Sequence, residues 1–387
     1  MPPWWTGDLS KIIIDGPLAT LSSAAIINRA LFQGLSKFGH DVFASPAHGN
    51  SVIRGDDGDG ELKIAAQKVR DDIEPDITIR NVWPPRFVRP RTGKLIMIQP
   101  WEFGSIPLSW ITDFNMGADQ VWVPSNFVRD VFIRDGLPTD KVQRVPNGFD
   151  PEVFRPDGAR YPLKTKKSFK FLFVGGAIPR KGIDILLTAY SSVFGSVDDV
   201  CLVIKDFGAD SFYKEMTFRN KILAFAERPG VAEIEYIDST LTQLDLAALY
   251  RSCDVLVHPY RGEGFGLPIL ESMASGTPPM VTSGGPAPEF CRSEYSVLLK
   301  CDEKLLDDKQ VFGMQTVSYP SIFKVSLDDL AEKILWASKN RNVLRELGRN
   351  GASYARERWT WNAAVREADR RLNELAENRQ PASPLSL

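Results

Sequence analysis

The densest chemistry in this 387-residue sequence lies between residues 255 and 276, which read VLVHPYRGEGFGLPILESMASG. An apolar run ends at His258, a loop with three glycines follows, and Pro268 suits the first turn of a helix. Glycines let the backbone approach a ligand closely, and a helix N-terminus offers free N–H groups and the positive end of a dipole. The segment therefore predicts an anion site, typically for phosphate. His258 either contacts the ligand or is a strand-end histidine with hydrogen bonds of its own.

Glu263 and Glu271 are the two carboxylates of this segment, the first in the loop and the second about one turn into the predicted helix. A carboxylate can accept two hydrogen bonds from a diol, so one glutamate could hold a sugar and the other a ribose. A ligand with phosphates, a sugar and a ribose is a nucleotide diphosphate sugar. The alternative is that Glu263 is solvated and Glu271 merely complements the helix dipole.

A second segment with phosphate-binding character, FLFVGGAIPRKG, covers residues 171–182. It predicts a strand that ends near Gly175 and Gly176, then a loop and a helix start. Arg180 and Lys181 place two cations near that start, which suits a diphosphate leaving group, although a basic pair can also belong to a solvated turn. No Gly-x-Gly-x-x-Gly follows the strand, which disfavours a dinucleotide-binding dehydrogenase.

Both segments belong to an alternation of strand-like and helix-like runs that is typical of parallel α/β sheets. Strands are predicted at Lys11–Asp15, Asp41–Ser45, Asp76–Arg80, Lys94–Ile98, Gln120–Pro124, Lys141–Pro146, Phe169–Val174, Val200–Lys205, Glu233–Ile237, Val255–Pro259 and Pro279–Thr282. Helices are predicted at Ser22–Phe38, Glu61–Asp72, Asn126–Gly136, Ile183–Phe194, Phe212–Glu227, Leu244–Arg251 and Pro268–Ser275, then almost continuously from Ser326 to Glu377. Ser125 is a predicted N-cap, and Gly39 and Gly136 are predicted helix ends.

Proline, glycine and charge concentrate at Pro146–Pro151 and Pro156–Lys167, which we interpret as a hinge. We therefore predict two doubly wound α/β domains facing a central cleft, residues 1–155 and 156–358. Ligands in such sheets bind at the carboxyl ends of the strands. Residues 378–387 are a predicted loose tail.

The sequence resembles the retaining family 4 glycosyltransferases, which have the GT-B fold of two Rossmann-like domains. It keeps their two glutamates separated by seven residues, Glu263 and Glu271, with Glu-Gly-Phe-Gly-Leu-Pro intact, and their Lys-Gly pair at Lys181. The resemblance covers nearly all of the second domain and the segment Val121–Phe154, whereas the first hundred residues match in layout alone. Many relatives carry an arginine directly after the strand's glycine, where this chain has Gly176.

This resemblance implies roles for the matching positions. Glu263 would contact the donor sugar and Glu271 the ribose, while Lys181 would bind the diphosphate. Arg180 would replace the arginine that relatives carry, and Gly175 and Gly176 would line the donor site. The phosphates would meet the N–H groups of Phe265, Gly266 and Leu267. The first domain would bind the acceptor and the second the nucleotide sugar, with residues 359–377 as a helix that crosses back to the first domain.

Signals in the first domain are weaker. Gly16 follows the first strand and is expected to line the cleft near the acceptor or the transferred group. Trp101 and Glu102 follow the fourth strand. Trp101 could stack on a sugar, and Glu102 could bind acceptor hydroxyls or assist proton transfer. Alternatively, the two could be a packed indole and a capped turn. His40 and His48 lie where a catalytic histidine is not expected, so we interpret both as surface residues.

A basic patch is formed by five cations within fifteen residues, Arg80, Arg86, Arg89, Arg91 and Lys94. It could meet an anionic membrane or a lipid pyrophosphate acceptor, or it could be a solvated loop. No apolar run approaches the ~20 residues of a membrane helix. Any membrane contact is therefore expected to be peripheral and weak.

Composition excludes other classes of protein. Lys+Arg of 47 against Asp+Glu of 49 gives a net charge of -2, without bulk attraction to nucleic acid. Hydrophobic residues at 43% and charged residues at 25% are ordinary for globular proteins. The 4 cysteines and 3 histidines form no metal-binding pattern, so we expect reduced, mostly buried cysteines and a cytoplasmic protein.

The resemblance implies a retaining hexosyltransferase that moves a sugar from a nucleotide diphosphate sugar to an acceptor hydroxyl, in polysaccharide or glycan biosynthesis. The acceptor would be a glycan, a lipid-linked molecule or a small molecule, and no motif specifies it, the base or the sugar. Asp57-Gly-Asp59 lies in a loop rather than at a strand end, so we expect no metal and no cofactor. Two alternatives stay open: a nucleotide-sugar epimerase with this fold, and a catalytically inactive binder of nucleotide sugars or glycans.

Overall fold

The computed structural model of the protein describes residues 10–20, 22–45, 73–207 and 217–377. These residues pack as two units. Unit 1 contains the chain up to Pro100, the segment Ile106–Asn147 and the chain from Trp361, and unit 2 contains Trp101–Ser105 and Gly148–Thr360. Outside the described residues lie the predicted helix Glu61–Asp72, His48, Asp57, Asp59, the start of the predicted helix Phe212–Glu227 and the predicted tail.

The strands and helices follow each other as the sequence predicts. The strands are β1 Lys11–Asp15, β2 Asp41–Ala44, β3 Ile77–Arg80, β4 Lys94–Ile98, β5 Gln120–Val123, β6 Val142–Arg144, β7 Phe169–Gly175, β8 Val200–Asp206, β9 Glu233–Ile237, β10 Val255–His258, β11 Pro279–Thr282, β12 Val297–Leu299, β13 Cys301–Leu305, β14 Gln310–Val311, β15 Met314–Gln315 and β16 Ser321–Val325. The helices are α1 Ser23–Lys37, α2 Leu108–Gly117, α3 Asn126–Arg134, α4 Ile183–Val193, α5 Arg219–Ala226, α6 Gln243–Arg251, α7 Leu267–Ala274, α8 Leu327–Lys339, α9 Arg341–Arg358 and α10 Trp361–Glu377.

Unit 1 is a six-stranded sheet in the order β2-β1-β3-β4-β5-β6, with every neighbouring pair parallel. The buried strands are short apolar runs, as expected for a parallel sheet covered on both faces. Ser22 caps α1, and its hydroxyl accepts the N–H of Ala25 at 3.3 Å. The last helix, α10, lies so close to α1 that a Cβ atom on Gly34 would come within 2.3 Å of Val365.

Unit 2 repeats this plan with the strand order β12-β11-β10-β7-β8-β9, again parallel throughout. Strand order reverses between β7 and β10, which lie side by side with Phe171 paired to Val255. In a doubly wound sheet this reversal opens a crevice at the carboxyl ends of the two strands, where ligands bind. All eleven predicted strands are confirmed, and the two-domain doubly wound fold with them.

Several elements differ from the sequence predictions. Helix α2 was not predicted, and neither were β12, the antiparallel pair of β13 and β16, or the β14–β15 hairpin. The interpretation of His40 as a surface residue is wrong. The residue is 3% exposed, with Nε2 at 2.7 Å from Oδ1 of Asp369 on α10 and Nδ1 accepting the N–H of Ser10 at 3.2 Å.

The cysteines and the capping residues follow the predictions. All 4 cysteines are free, and Cys301 alone among them is more than slightly exposed. Ser125 caps α3 through the N–H of Val128, and Gly39 and Gly136 follow helix ends with positive φ. Among the helices of the described residues, none is long and apolar enough to cross a bilayer.

Candidate active site

The candidate site lies at the carboxyl ends of β7 and β10, the reversal point of the unit 2 sheet. β7 ends at Gly175 and β10 at His258. A Cβ atom on Gly175 would lie 3.7 Å from Nε2 of His258 and 3.9 Å from the Lys181 side chain. The two segments that the sequence singled out therefore converge on one place. Their starts, at residues 171 and 255, are 84 residues apart in the sequence.

The turn that carries the two cations is anchored to the loop after β10. Pro179–Lys181 form one 3₁₀ turn, and Gly182 follows with φ +78°, where a side chain would strike the Pro259 carbonyl at 2.0 Å. Arg261, from the loop after β10, pairs with both carboxylate oxygens of Asp184 at 2.7 and 2.9 Å and also donates to the Pro179 carbonyl. This bidentate pair fixes the position of Lys181 relative to the β10 loop.

Lys181 forms an ion pair with Oε2 of Glu263, and both side chains are largely buried. Burial alone would raise the pKa of Glu263, but the nearby charges of Lys181 and Arg180 outweigh it and lower that pKa to about 2. Glu263 is therefore ionised at neutral pH. It is positioned to accept hydrogen bonds and cannot serve as an acid.

Arg180 lies beside this pair and reaches in a different direction. Its Nη1 donates to the Gly262 carbonyl at 2.8 Å, and its Nη2 lies 3.3 Å from Oε1 of Glu102. Glu102 belongs to unit 2 in its contacts, although it follows a strand of unit 1 in the chain. Its partner in the structure is thus a residue of unit 2, and its acceptor role stays a prediction.

Trp101 and Gly16 have packing roles in the structure. Trp101 is 1% exposed, and its indole N–H donates to the Ser105 carbonyl at 2.8 Å. The packed alternative therefore describes Trp101, since a ring buried in this way offers no face to a sugar. Gly16 follows β1, where a Cβ atom would come within 2.4 Å of the Asn81 carbonyl and 2.5 Å of Asn28. Its proximity to an acceptor stays a prediction.

His258 is fully buried beside the ion pair and stacks on Phe173, with ring centroids 5.6 Å apart and planes inclined by 7°. Neither ring nitrogen has a hydrogen-bond partner within the described part of the chain. The described residues therefore do not supply the hydrogen bonds that the second alternative requires, and contact of His258 with the ligand stays a prediction. Burial, reinforced by the charge of Lys181, lowers the pKa of His258 to about 3. A neutral imidazole thus lies beside Gly175.

Glu271 lies in α7, which begins without a side-chain cap after Gly266 at φ +95°. Tyr250, at the end of α6, donates its hydroxyl to Oε2 of Glu271 at 3.0 Å. Burial raises the pKa of Glu271 to about 7, and the bond from Tyr250 offsets part of this rise. The two glutamates therefore have very different affinities for a proton, although they belong to one motif with only seven residues between them.

Two of the remaining donor-side candidates, Phe265 and Leu267, have buried side chains. The ring of Phe265 packs against Phe290 at 5.2 Å and Trp359 at 6.0 Å, so its side chain belongs to the core. Leu267 is 7% exposed. Binding of phosphate by the N–H groups of Phe265, Gly266 and Leu267, and contact of Gly176 with the donor, stay predictions.

Sequence reasoning missed a buried polar cluster at the end of β8, the strand next to β7. Lys205 is 1% exposed and donates to the Asp206 carbonyl at 2.8 Å. The Asp206 carboxylate accepts the Tyr236 hydroxyl at 2.7 Å and the Ala177 N–H at 3.0 Å. Burial lowers the pKa of Lys205 to about 8, against the raising effect of Asp206. The detectable signal was a Lys-Asp pair at the end of an otherwise apolar strand.

Known proteins resemble the chain in sequence. Residues 159–306 match the family described as glycosyl transferases group 1. Mannosylfructose-phosphate synthase from Agrobacterium fabrum is 25% identical over 258 residues, which cover 65% of this chain and 52% of that protein. The chain spans about half, or less, of the length of the first curated relatives it matches.

Solved structures resemble it in fold. Sucrose-phosphate synthase from Thermosynechococcus elongatus matches with a TM-score of 0.66 and 16% identity, over 95% of this chain and 99% of that chain. Anabaena HepE, solved with UDP and glucose, matches with a TM-score of 0.60 and 15% identity, over 94% and 99%.

The class that these findings define is the GT-B fold with two Rossmann-like domains, as the sequence predicts. The family match and the relatives support the assignment of the chain to the GT-B glycosyltransferases of family 4. The resemblance stated from the Glu263–Glu271 motif is thereby confirmed.

Proposed function

We propose that the protein is a retaining glycosyltransferase, which transfers a hexose from a nucleotide diphosphate sugar to an acceptor hydroxyl. The observation that carries this proposal is the pairing of Lys181 with Glu263 at the β7–β10 crevice, beside a second, separately held glutamate. That arrangement supplies a cation for a phosphate, an ionised carboxylate for a sugar and a carboxyl for a ribose within one unit.

Each group has a chemical role in this proposal. Lys181 and Arg180 bind the diphosphate and stabilise the charge that develops on it as it leaves, so the reaction needs no metal ion and no cofactor. Glu263 accepts hydroxyl hydrogens of the donor sugar. Glu271 accepts the ribose hydroxyls, and His258 completes the donor pocket with ring nitrogens that have no hydrogen-bond partner among the residues the structure describes.

The proposed reaction breaks the bond between sugar C1 and the phosphate oxygen and forms a bond between C1 and the acceptor oxygen. Both events take place on the same face of the sugar, which retains the configuration. The acceptor proton passes to the leaving phosphate oxygen. Within the proposal, the reaction is cytoplasmic, and the acceptor is a glycan, a lipid-linked molecule or a small molecule.

A thermal-shift panel tests the donor site with UDP, GDP, ADP and their common sugar conjugates, each with and without EDTA. Ligand at 100 times its Kd stabilises a protein by ~2.7 kcal/mol, which gives a clear shift of Tm. We expect one base to stabilise the wild type, with little effect on Glu271→Gln and an unchanged effect on Glu346→Gln, an exposed control on α9. The absence of a shift with every nucleotide in the folded protein contradicts the proposal.

Turnover separates the proposal from its alternatives. A glycosyltransferase consumes the donor in proportion to an added acceptor, and the anomeric configuration of the product by NMR reports retention. An epimerase consumes the donor without an acceptor. A binding protein shifts its Tm with the nucleotide and shows no turnover with any acceptor of a glycan, lipid and sugar-phosphate panel.

A further inference from the structure

One exposed surface of unit 1 has no part in the proposed chemistry. It combines α2 with the loop of residues 81–93, which runs along this helix. Trp83 packs edge-on against Trp110 with centroids 6.3 Å apart, and Phe87 packs against Phe114 at 4.9 Å. We call it the α2 face and define it by Trp83, Val88, Arg89, Arg91, Leu108 and Met116.

The outward side chains of this face are unusually apolar. The exposed fraction is 75% for Met116, 73% for Val88, 56% for Leu108 and 45% for Trp83. Met116 and Leu108 belong to the helix, and Val88 and Trp83 belong to the loop. On the inner side, Phe114 of the helix packs against Phe87 of the loop and Trp110 of the helix. Contiguous exposed apolar surface marks a site of interaction with another apolar phase or protein.

The same face carries excess positive charge. Between Asp76 and Glu102 the sequence has five cations and no acidic residue. Arg80 is buried and forms an ion pair with Asp15 at 2.6 Å, so its charge is paired inside the protein. Arg89 and Lys94 both reach Asp119, at 2.6 and 3.3 Å.

Arg91 is exposed, and no ion pair to an acidic residue within the described ranges involves it. Arg86 is 47% exposed in its side chain although it contacts Asp15. Among the described residues, the ion pairs of these cations reach two carboxylates, those of Asp15 and Asp119. The five cations of this segment therefore outnumber the carboxylates that pair with them, in a protein whose net charge is -2.

We propose that the α2 face binds the surface of an anionic phospholipid bilayer. Tryptophan and long apolar side chains suit the headgroup boundary, where guanidinium groups reach phosphates while their stems lie on apolar surface. A nucleic acid would place its phosphates against the four apolar side chains, which disfavours it. The contact is peripheral and weakens with ionic strength, because anionic lipids attract these cations over about one Debye length.

Vesicle co-sedimentation tests this proposal with the full chain. The vesicles are phosphatidylcholine alone, and phosphatidylcholine with about one third phosphatidylglycerol. Two variants remove the proposed contact, Met116→Asp and Arg91→Glu. Two controls introduce the same residues at exposed positions elsewhere, Val197→Asp, at a residue 92% exposed, and Arg345→Glu on α9.

We expect the wild type to sediment with the anionic vesicles and far less with the neutral ones. Each α2-face variant should lower the partition coefficient by about fivefold or more, and both controls should leave it unchanged. Equal sedimentation with both lipids, no sedimentation with either, or equal effects of variant and control would overturn the proposal. All four variants should keep the nucleotide-induced Tm shift, so a failure of the donor-site proposal is read separately from a failure of this one.

Discussion

Tyr250 donates its hydroxyl to Glu271 over 3.0 Å, and neither side chain is appreciably exposed. Glu271 consequently has one neutral partner, and burial raises its pKa to about 7. Glu263, whose partner is the cation Lys181, has a pKa of about 2. One glutamate of the motif is thus permanently charged at neutral pH, while the other titrates there.

Nucleotide affinity should depend on pH through Glu271. An ionised carboxylate accepts hydrogen bonds from both ribose hydroxyls, whereas the protonated form loses acceptor capacity. With a pKa of about 7, lowering the pH from 8 to 6 should weaken nucleotide affinity by about tenfold. Calorimetric titrations across this range measure the effect.

The titrations use a nucleotide sugar, because its doubly esterified diphosphate has no proton to lose between pH 6 and 8, whereas the terminal phosphate of a free nucleoside diphosphate does. The control is Glu271→Gln, whose affinity for the nucleotide sugar should be weak and independent of pH in this range. Neither Glu263 nor His258 titrates in that window, since their pKa values are about 2 and about 3. A wild-type affinity that stays flat over this range would contradict the ribose role of a titrating Glu271.

Folding stability should respond to Glu271 in the opposite sense. The folded protein holds this proton to a pH of about 7, whereas the unfolded chain releases it near 4.5, so ionisation of Glu271 costs stability as pH rises between these values. Glu271→Gln removes that cost. Chemical denaturation should show the variant about 2 kcal/mol more stable than the wild type at pH 8 and equal to it at pH 5. A variant less stable at pH 8 would rule this out.

Tyr250→Phe should separate positioning from folding. Loss of the hydroxyl removes the hydrogen bond that favours the ionised Glu271, so the pKa of Glu271 should rise further. Nucleotide affinity should fall about tenfold at pH 7 and recover in part at pH 8.5. The control is Tyr190→Phe, whose hydroxyl donates to the Glu233 carbonyl away from the site. It should leave the pH profile of binding unchanged, and a parallel change in both variants would refute the assignment.

Lys181→Met should leave Glu263 buried without its cation. We expect a loss of about 3 kcal/mol of folding stability at pH 7 and a loss of turnover of about 10²-fold or more. The stability of the pair is present above the unfolded pKa of about 4.5 and is lost as pH falls toward 2, so the defect should shrink in acid.

The matched double variant Lys181→Met with Glu263→Gln should regain most of this stability, because no buried charge remains unpaired. It should stay inactive. Recovery of turnover in the double variant would show that the pair serves folding alone.

His258→Phe should trade affinity for stability. The buried ring nitrogens of His258 lack partners in the ranges that the structure describes, so an apolar ring of similar shape should cost no stability and add up to about 1 kcal/mol. If the unpaired nitrogen receives a hydrogen bond from the donor, nucleotide affinity should fall about tenfold. Chemical denaturation and nucleotide titration on the same preparation measure the two effects. An unchanged nucleotide affinity would show that His258 does not bind the donor.

The parallel sheets could be predicted from sequence because their strands are short, continuous apolar runs between glycine, proline and helical segments. Helix α2 was missed because Pro107 precedes it and no side chain caps it, so the usual start signal is lacking. The pair of β13 and β16 was missed because β13 is almost wholly exposed and carries three charged residues among its five. Its register with a strand sixteen residues further on has no local sequence signal.

The residues of the candidate site could be named from their types and spacing, but their partners could not. Lys181 and Glu263 are 82 positions apart, and their contact depends on β7 and β10 being neighbours at the sheet's reversal point. Tyr250 occupies the last turn of α6 with nothing to distinguish it from a core tyrosine. Its role follows only from the contact with Glu271.

The packing of α10 on α1 has a consequence for biosynthesis. Unit 1 takes its final helix from residues 361–377, which leave the ribosome after the whole of unit 2. Until then the surface around Gly34, and the imidazole of His40 that later meets Asp369, have no cover from this helix. A nascent chain or a fragment that stops at Asn147 should therefore expose an apolar groove and engage chaperones, whereas a circularly permuted chain that begins at Trp361 should complete unit 1 early.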